Sequence, residues 1–157
     1  MDQNIEKKID ELLSKMTVQE KIGQLNQQDS IHRGDEALIA DIREGKIGSF
    51  ILSGVASWDV DCEGAHKHRE RLNEMQRIAV EESRLGIPII YGHDVIPGHH
   101  TMYPDPIAMA SSFNPEMVRQ SYRCIAKEAA TDSTHWSFAP MVDMSHDPRW
   151  GRCVEGP

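Results

Sequence analysis

The sequence predicts an α/β fold in which short parallel strands alternate with longer helices. Two strands of the buried type, one in the segment 87–94 and one from residue 137 onward, each run into a cluster of polar residues. The segments that precede them carry helical periodicity and are long enough to form the right-handed crossovers that join parallel strands. Because α/β folds bind ligands at such strand ends, we expect the functional residues there.

Three helices are predicted in the first 45 residues. The first has an apolar residue on one helical face at each of five positions, Ile5, Ile9, Leu12, Leu13 and Met16. The second begins at the capping box formed by Thr17 and Glu20, and we expect Ile22 and Leu25 to supply its buried side. The third is expected to be capped by Asp35 and to end at Gly45.

A first strand and a long surface helix are expected next. The strand covers residues 47–52 and is closed by Gly54, after which a polar loop carries Trp58, Asp59 and Asp61. The helix extends from about residue 65 to residue 84, because its apolar residues recur at helical spacing: Leu72, Met75, Ile78 and Ala79. Gly86 is expected to end the helix, so that the second strand follows directly.

The second and third strands both lead into polar residues. Ile87, Ile89 and Ile90 form the second strand, and the chain changes to Gly-His-Asp within two residues. A further helix is expected to begin at Asn114-Pro115-Glu116, since Asn is a favourable cap and Pro suits the first helical position. The third strand is expected over residues 137–142 and runs towards Arg152.

Composition excludes several classes of protein. The chain has 157 residues, of which 39% are apolar and 27% are charged, as in soluble globular domains. A formal charge of −8 without a basic stripe argues against nucleic-acid binding. No signal peptide or membrane span is recognisable, so we expect a cytoplasmic protein if Met1 is native and a periplasmic or secreted one if the chain is processed. The sequence does not specify an oligomeric state.

Asp94 and Arg152 are the strongest candidates for binding a ligand. Asp94 lies at a strand end, where its carboxylate can accept hydrogen bonds from paired hydroxyls, although a carboxylate there can also cap a turn. Arg152 can donate two hydrogen bonds to a polyol or a carboxylate. The alternative for Arg152 is a structural ion pair with one of three nearby acids, Asp143, Asp147 or Glu155.

A histidine-rich segment raises the question of a metal. His93, Asp94, His99 and His100 supply suitable ligand types, but their spacing matches no compact zinc motif, so we expect no metal. The three cysteines are widely spaced and form neither a disulfide framework nor a metal pair. No phosphate-binding loop, dinucleotide fingerprint or Gly-x-Ser-x-Gly elbow is present, so no cofactor is expected either.

Several short motifs occur in order along almost the whole chain. The most specific is Pro148-Arg149-Trp150-Gly151-Arg152 after Ala139-Pro140-Met141-Val142-Asp143. The others are weaker when taken singly: KIGQL at 21–25, GKIGSF at 45–50, RLGIP at 84–88, GHDVI at 92–96 and ASSFNP at 110–115. Together these motifs resemble the opening of a glycoside hydrolase of family 3, and of the bacterial β-glucosidases in particular.

The resemblance implies a retaining enzyme that releases terminal, non-reducing β-D-glucose from a β-glucoside or oligosaccharide, by a mechanism that uses two carboxylates. By motif, Asp94 and Arg152 would bind the hydroxyls of that glucose. The family's Asp nucleophile follows a Ser-Asp dipeptide on a later strand, and its Glu acid/base lies in a further domain. This sequence has no Ser-Asp dipeptide, so no catalytic residue is assigned to it.

About three strands correspond to an incomplete (β/α)8 barrel of the TIM type, which needs about 250 residues when closed. We therefore expect residues 1–157 to be the N-terminal portion of such a barrel, truncated at its C-terminal side. The alternative is a non-catalytic sugar-binding or interaction module. Pro97, His100 and Asp105 depart from the family pattern, and the Asp105 carboxylate would stand where the family packs an aliphatic side chain.

Overall fold

The computed structural model describes residues 2–29, 35–52, 62–144 and 146–156, without the side chains of residue 35 and residues 62–67. The helices are α1 (Gln3–Lys15), α2 (Val18–Leu25), α3 (Asp35–Arg43), α4 (Cys62–Glu81), α5 (Pro106–Ala110) and α6 (Pro115–Thr131). The strands are β1 (Gln27–Asp29), β2 (Ser49–Ile51), β3 (Ile90–His93) and β4 (Trp136–Ser137). Two compact units are present: the first is Met1–Ile51 with Glu70–Ile90, and the second is Leu52–Arg69 with Tyr91–Pro157.

The first unit contains the parallel strand pair β1 and β2. Gln28 lies opposite Phe50 in the register of this pair, and the Ile90 amide donates a 3.1 Å hydrogen bond to the carbonyl of Gly48. The core of the unit is formed by aliphatic and aromatic side chains that are almost completely buried: Leu38, Ile42, Ile47, Phe50, Leu72, Met75, Ile78, Ala79 and Ile89. The apolar spacing predicted for α4 is therefore confirmed.

The capping box of α2 forms as the sequence predicts. The Thr17 hydroxyl accepts a 3.2 Å hydrogen bond from the Glu20 amide, and the Glu20 carboxylate accepts one of 2.8 Å from the Thr17 amide. The buried side of α2, however, was predicted wrongly, because Ile22 and Leu25 are 61% and 87% exposed. The face that packs is that of Gly23, whose closeness to the Gly45 backbone leaves no room for a side chain.

Gly45 ends α3 as expected, with a φ of +69° that a residue with a side chain rarely adopts. Asp35 is the first residue of α3 rather than the residue before it, and its side chain lies outside the described part of the chain. The predicted loop with Gly54, Trp58, Asp59 and Asp61 also lies outside the described residues.

The second unit contains the parallel pair β3 and β4, in which Gly92 lies opposite Trp136 and His93 opposite Ser137. The Leu52 amide donates a 2.7 Å hydrogen bond to the carbonyl of Gly92. The third predicted strand is much shorter than expected, since β4 ends at Ser137 instead of residue 142. Pro140 explains part of this, because a proline has no amide hydrogen to donate to a strand ladder.

Helix α6 carries the core of the second unit. Its cap is Asn114, whose side chain accepts a 3.1 Å hydrogen bond from the amide of Met117, as the sequence predicts. Ile125 and Ala129 pack with Val95, which immediately follows the candidate residue Asp94. Two tyrosines, Tyr103 and Tyr122, complete this cluster from its edge.

The predicted α/β class with parallel strands is confirmed. Two short elements were not predicted from the sequence: β1, which is polar and only three residues long, and the five-residue helix α5. Over the described ranges, no helix is both long and apolar enough to cross a membrane.

Candidate functional site

Asp94 follows directly on the last residue of β3, at the point where the chain leaves the strand. The next residue, Val95, is fully buried, so the backbone is anchored on one side of Asp94 by the strand and on the other by the core. The Asp94 side chain is 52% exposed. This combination of a fixed backbone and an accessible carboxylate suits a residue that binds a ligand.

Arg152 reaches the same place from the C-terminal part of the second unit. Its Nη2 atom lies 3.5 Å from Oδ1 of Asp94, which is an ion-pair distance and slightly long for a good hydrogen bond. The Arg152 side chain is 47% exposed. The structure thus brings together the two residues that the sequence analysis singled out, although they lie far apart along the chain.

Arg152 also forms the structural ion pair that was considered as its alternative role. Its Nε and Nη2 atoms each lie 2.7 Å from Oε2 of Glu155. The hydrogen bond to Glu155 and the charges of Glu155 and Asp94 raise the pKa of Arg152 above its ordinary value. Asp147, another acid considered as a partner, pairs with Arg149. The two interpretations of Arg152 are therefore compatible, because different acids take part in them.

The histidine-rich segment is organised around a carboxylate that was not predicted from the sequence as a site residue. Asp132 accepts contacts from the Nε2 atoms of both His99, at 3.0 Å, and His100, at 3.2 Å. Burial raises the pKa of Asp132, but the hydrogen bonds and charges of the two histidines outweigh it and lower that pKa below its usual value. Asp132 caps the C-terminal end of α6, so this triad fastens the segment 98–102 to that helix.

His93 and Asp94 do not take part in this triad. The His93 ring is buried and meets the ring of His99 edge to face, with centroids 5.3 Å apart. Burial lowers the pKa of His93, and the neighbouring His99 lowers it further, so this environment disfavours the charged imidazolium. Asp94 contacts Arg152 instead.

The triad of His99, His100 and Asp132 has the donor types of a metal centre. Two imidazole nitrogens and a carboxylate oxygen, all within 4.8 Å of one another, are donors that zinc accepts. The contacts to Asp132 at 3.0–3.2 Å are hydrogen-bond distances, and they account for the Nε2 atoms of both rings without an ion. That the protein binds no metal stays a prediction from the sequence.

The three positions that depart from the family pattern lie in or near the segment 98–102. His100 belongs to the triad with Asp132, and the adjoining Thr101 is tied to α6 by a 2.9 Å hydrogen bond from its amide to Glu128. Asp105 is exposed at the position before α5, so its carboxylate remains in solvent and carries no desolvation cost. Pro97 precedes Gly98, which pairs with Met102 across the short turn that carries the histidines.

Comparison with known proteins adds a family assignment to this geometry. Residues 17–156 match the model of the glycosyl hydrolase family 3 N-terminal domain. The chain is 40% identical, over 152 residues, to the periplasmic beta-glucosidase of Salmonella typhimurium, a match that covers 94% of this chain and 18% of that protein. It is 29% identical to the lysosomal beta glucosidase of Dictyostelium discoideum, with 94% and 20% covered.

Solved structures give the same picture. An exo-1,3/1,4-beta-glucanase from a Pseudoalteromonas species superposes with a TM-score of 0.79 at 28% identity, over 99% of this chain and 20% of the other. A beta-glucosidase from Listeria innocua in complex with isofagomine gives a TM-score of 0.72 at 32% identity, over 99% and 20%. The chain therefore spans about a fifth of the length of the proteins that it matches.

Proposed function

The chain belongs to glycosyl hydrolase family 3, and we propose that residues 1–157 are the N-terminal portion of the (β/α) barrel domain of a β-glucosidase. In this proposal the whole enzyme releases terminal, non-reducing β-D-glucose from β-glucosides or oligosaccharides with retention of configuration. The names of several relatives support this choice, since they are called beta-glucosidases.

The reaction assigned to the whole enzyme uses two carboxyl groups about 5–5.5 Å apart, one as the nucleophile and one as the acid/base. This chain contributes neither in the proposal. Its part is to hold the glucose ring, with Asp94 accepting hydrogen bonds from sugar hydroxyls and Arg152 donating to a hydroxyl oxygen. Binding contacts of this kind fix the anomeric carbon relative to the catalytic groups, and this orientation is itself a large part of catalysis.

One observation carries this proposal: Asp94 and Arg152 lie 3.5 Å apart, and both remain about half exposed. A carboxylate acceptor beside a guanidinium donor matches the alternating donor and acceptor character of neighbouring sugar hydroxyls. Because Glu155 already holds Arg152, the Asp94 carboxylate does not have to satisfy the guanidinium and stays available to a ligand.

The test starts from the gene. The DNA that encodes this chain is read beyond the codon of Pro157, and the longest in-frame product is assayed for release of nitrophenol from 4-nitrophenyl β-D-glucopyranoside. We expect the frame to continue, to include a Ser-Asp strand end, and to encode an active β-glucosidase. An in-frame product that contains such a strand end but hydrolyses no β-glucoside would overturn the proposed activity.

The alternative, a non-catalytic sugar-binding or interaction module, is favoured by a different observation. Large apolar side chains are exposed in the second unit: Phe113, Trp136, Val142 and Met144. Exposed apolar surface of this kind is often covered by further polypeptide, either of the same protein or of a partner. A stop codon directly after Pro157, together with glucose binding but no hydrolysis, would favour the module.

The cellular location is proposed only as two alternatives. The Salmonella typhimurium relative is named periplasmic, and we propose a periplasmic or secreted location if the chain is processed, and a cytoplasmic one if Met1 is the native start. Fractionation of the source cells, followed by immunoblotting, separates the two.

A further inference from the structure

Arg152 lies between two carboxylates that make different contacts with it. The Oε2 atom of Glu155 lies 2.7 Å from both Nε and Nη2 of Arg152, whereas Oδ1 of Asp94 lies 3.5 Å from Nη2. We propose that Glu155 is a positioning residue: it holds the guanidinium of Arg152 beside Asp94, so that the pair is ordered before a sugar arrives. This inference rests on the proposed function of Asp94 and Arg152 as glucose-binding residues.

The local backbone explains why Glu155 can do this. Cys153–Glu155 form a single 3-10 turn, in which the amide of Glu155 donates a 3.1 Å hydrogen bond to the carbonyl of Arg152. Side chains three residues apart are stacked on the same side of such a turn, so Glu155 lies over the guanidinium. In this turn, both the backbone and the side chain of Glu155 therefore contact Arg152.

The turn is itself fixed at its far end. Gly156 is buried, and a side chain there would come within 2.8 Å of the carbonyl oxygen of Asp143. The Glu155 side chain is 25% exposed, about half the exposure of the Asp94 side chain. An ion pair that is partly shielded from water and built on a tightly packed backbone is better suited to fix a geometry than a fully solvated one.

Glu155 and Asp94 do not occupy all the hydrogen-bond donors of Arg152. Within the described residues, the Nη1 group of Arg152 makes no hydrogen bond or ion pair, so its two hydrogens remain for a ligand. Without Glu155, the long and flexible arginine side chain would sample many rotamers or close onto Asp94. Either result would lower the affinity for the sugar. In the first case the Arg152 side chain would have to be ordered on binding, and in the second the Asp94 carboxylate would no longer be available as an acceptor.

The first test measures the position of Arg152 directly. In the 15N-labelled 157-residue chain, the Nε–H resonance of Arg152 is assigned by its loss in Arg152→Lys. We expect Glu155→Gln to shift this resonance and to speed its exchange with water, because the charged acceptor is removed. Glu116→Gln is the matched control, since Glu116 holds Arg119 at the same spacing and at 2.7 Å outside the site. An Arg152 resonance unchanged by Glu155→Gln would overturn the inference.

The second test uses the longest in-frame product. We expect Glu155→Gln to lower kcat/KM by about three- to tenfold, mainly through KM, and Glu155→Asp to recover part of the loss. In the Arg152→Ala background, Glu155→Gln should have almost no further effect, because its action passes through Arg152. Additive losses would show that Glu155 acts independently of Arg152 and would overturn its positioning role.

These outcomes separate the inference from the proposed function. If Arg152→Ala leaves kcat/KM unchanged, the proposed sugar-binding role fails, whatever the resonance shows. If Arg152→Ala is costly but Glu155→Gln is silent, the sugar-binding role stands and the role of Glu155 fails.

Discussion

The proposed glucose site depends on two residues, Asp94 and Arg152. We expect Asp94→Ala and Arg152→Ala, made separately in the longest in-frame product, each to remove a charge-assisted hydrogen bond worth about 1.5–3 kcal/mol. This corresponds to a loss of roughly 10- to 150-fold in kcat/KM. Kinetics on an aryl β-glucoside measure it, with Glu116→Ala as a control for loss of a surface charge. Wild-type kcat/KM in both variants would show that neither residue binds the sugar.

Glu20, in the first unit, has a pKa that can be measured in solution. The hydrogen bond from Arg84, followed by that from the Thr17 amide, lowers the pKa of Glu20 from 4.5 to about 2. A carboxyl with a lowered pKa in the folded state contributes stability above about pH 4.5, and this contribution is lost as the pH falls towards 2. NMR titration of the Glu20 carboxyl carbon is expected to show the low pKa, and Arg84→Met to raise it. A midpoint near 4.5 in the unmodified chain would contradict the contact.

Among the structural elements, α6 holds the segment 98–102 through the triad of His99, His100 and Asp132. Asp132→Asn removes the negative charge that both imidazoles contact and weakens the hydrogen bond to the buried His99 side chain. We expect a loss of about 1–3 kcal/mol in the free energy of unfolding and faster hydrogen exchange in the segment. Glu128→Gln, at a more exposed contact with Thr101, should cost less. Equal effects of the two variants would argue against a special role for Asp132.

The packing of α2 gives a second prediction for an element. A Cβ atom on Gly23 would lie 2.0 Å from the carbonyl oxygen of Gly45, closer than any real contact. We therefore expect Gly23→Ala to destabilise the chain by about 1–3 kcal/mol or more, measured as a lower denaturation midpoint. Gly151→Ala is the control, because a Cβ there meets nothing within 4 Å. If the two alanine variants melt together, the close approach of Gly23 and Gly45 is wrong.

For the molecule as a whole, the question is what the 157 residues do by themselves. We expect the isolated chain to release no nitrophenol from a β-glucoside, because the proposed mechanism takes its nucleophile and its acid/base from residues that this sequence does not include. We also expect it to bind a hydrophobic dye, since large apolar side chains such as Leu25, Phe113 and Val142 are exposed. Release of nitrophenol by the purified chain would refute the division of roles proposed for it.

Features that depend on neighbouring residues could be predicted from the sequence. The capping box at Thr17, the Asn114 cap and the end of α3 at Gly45 follow from hydrogen bonds and backbone preferences within a few positions. The α/β class follows from the alternation of strand and helix patterns along the chain. All of these were predicted correctly. The motifs around Asp94 and Arg152 likewise indicated the family without a structure. The polar strand β1 was missed, because three residues without an apolar pattern leave no periodic signal.

Contacts between residues that are distant along the chain could be identified only from the tertiary structure. Gly23, rather than Ile22 and Leu25, forms the packed face of α2, since that face is selected by the backbone of a distant residue, Gly45. Asp132 lies under two histidines, and Arg152 lies between Asp94 and Glu155. The cause is the same each time: spacing along the chain fixes hydrogen bonds within one turn, whereas contacts between segments depend on how their surfaces pack against each other.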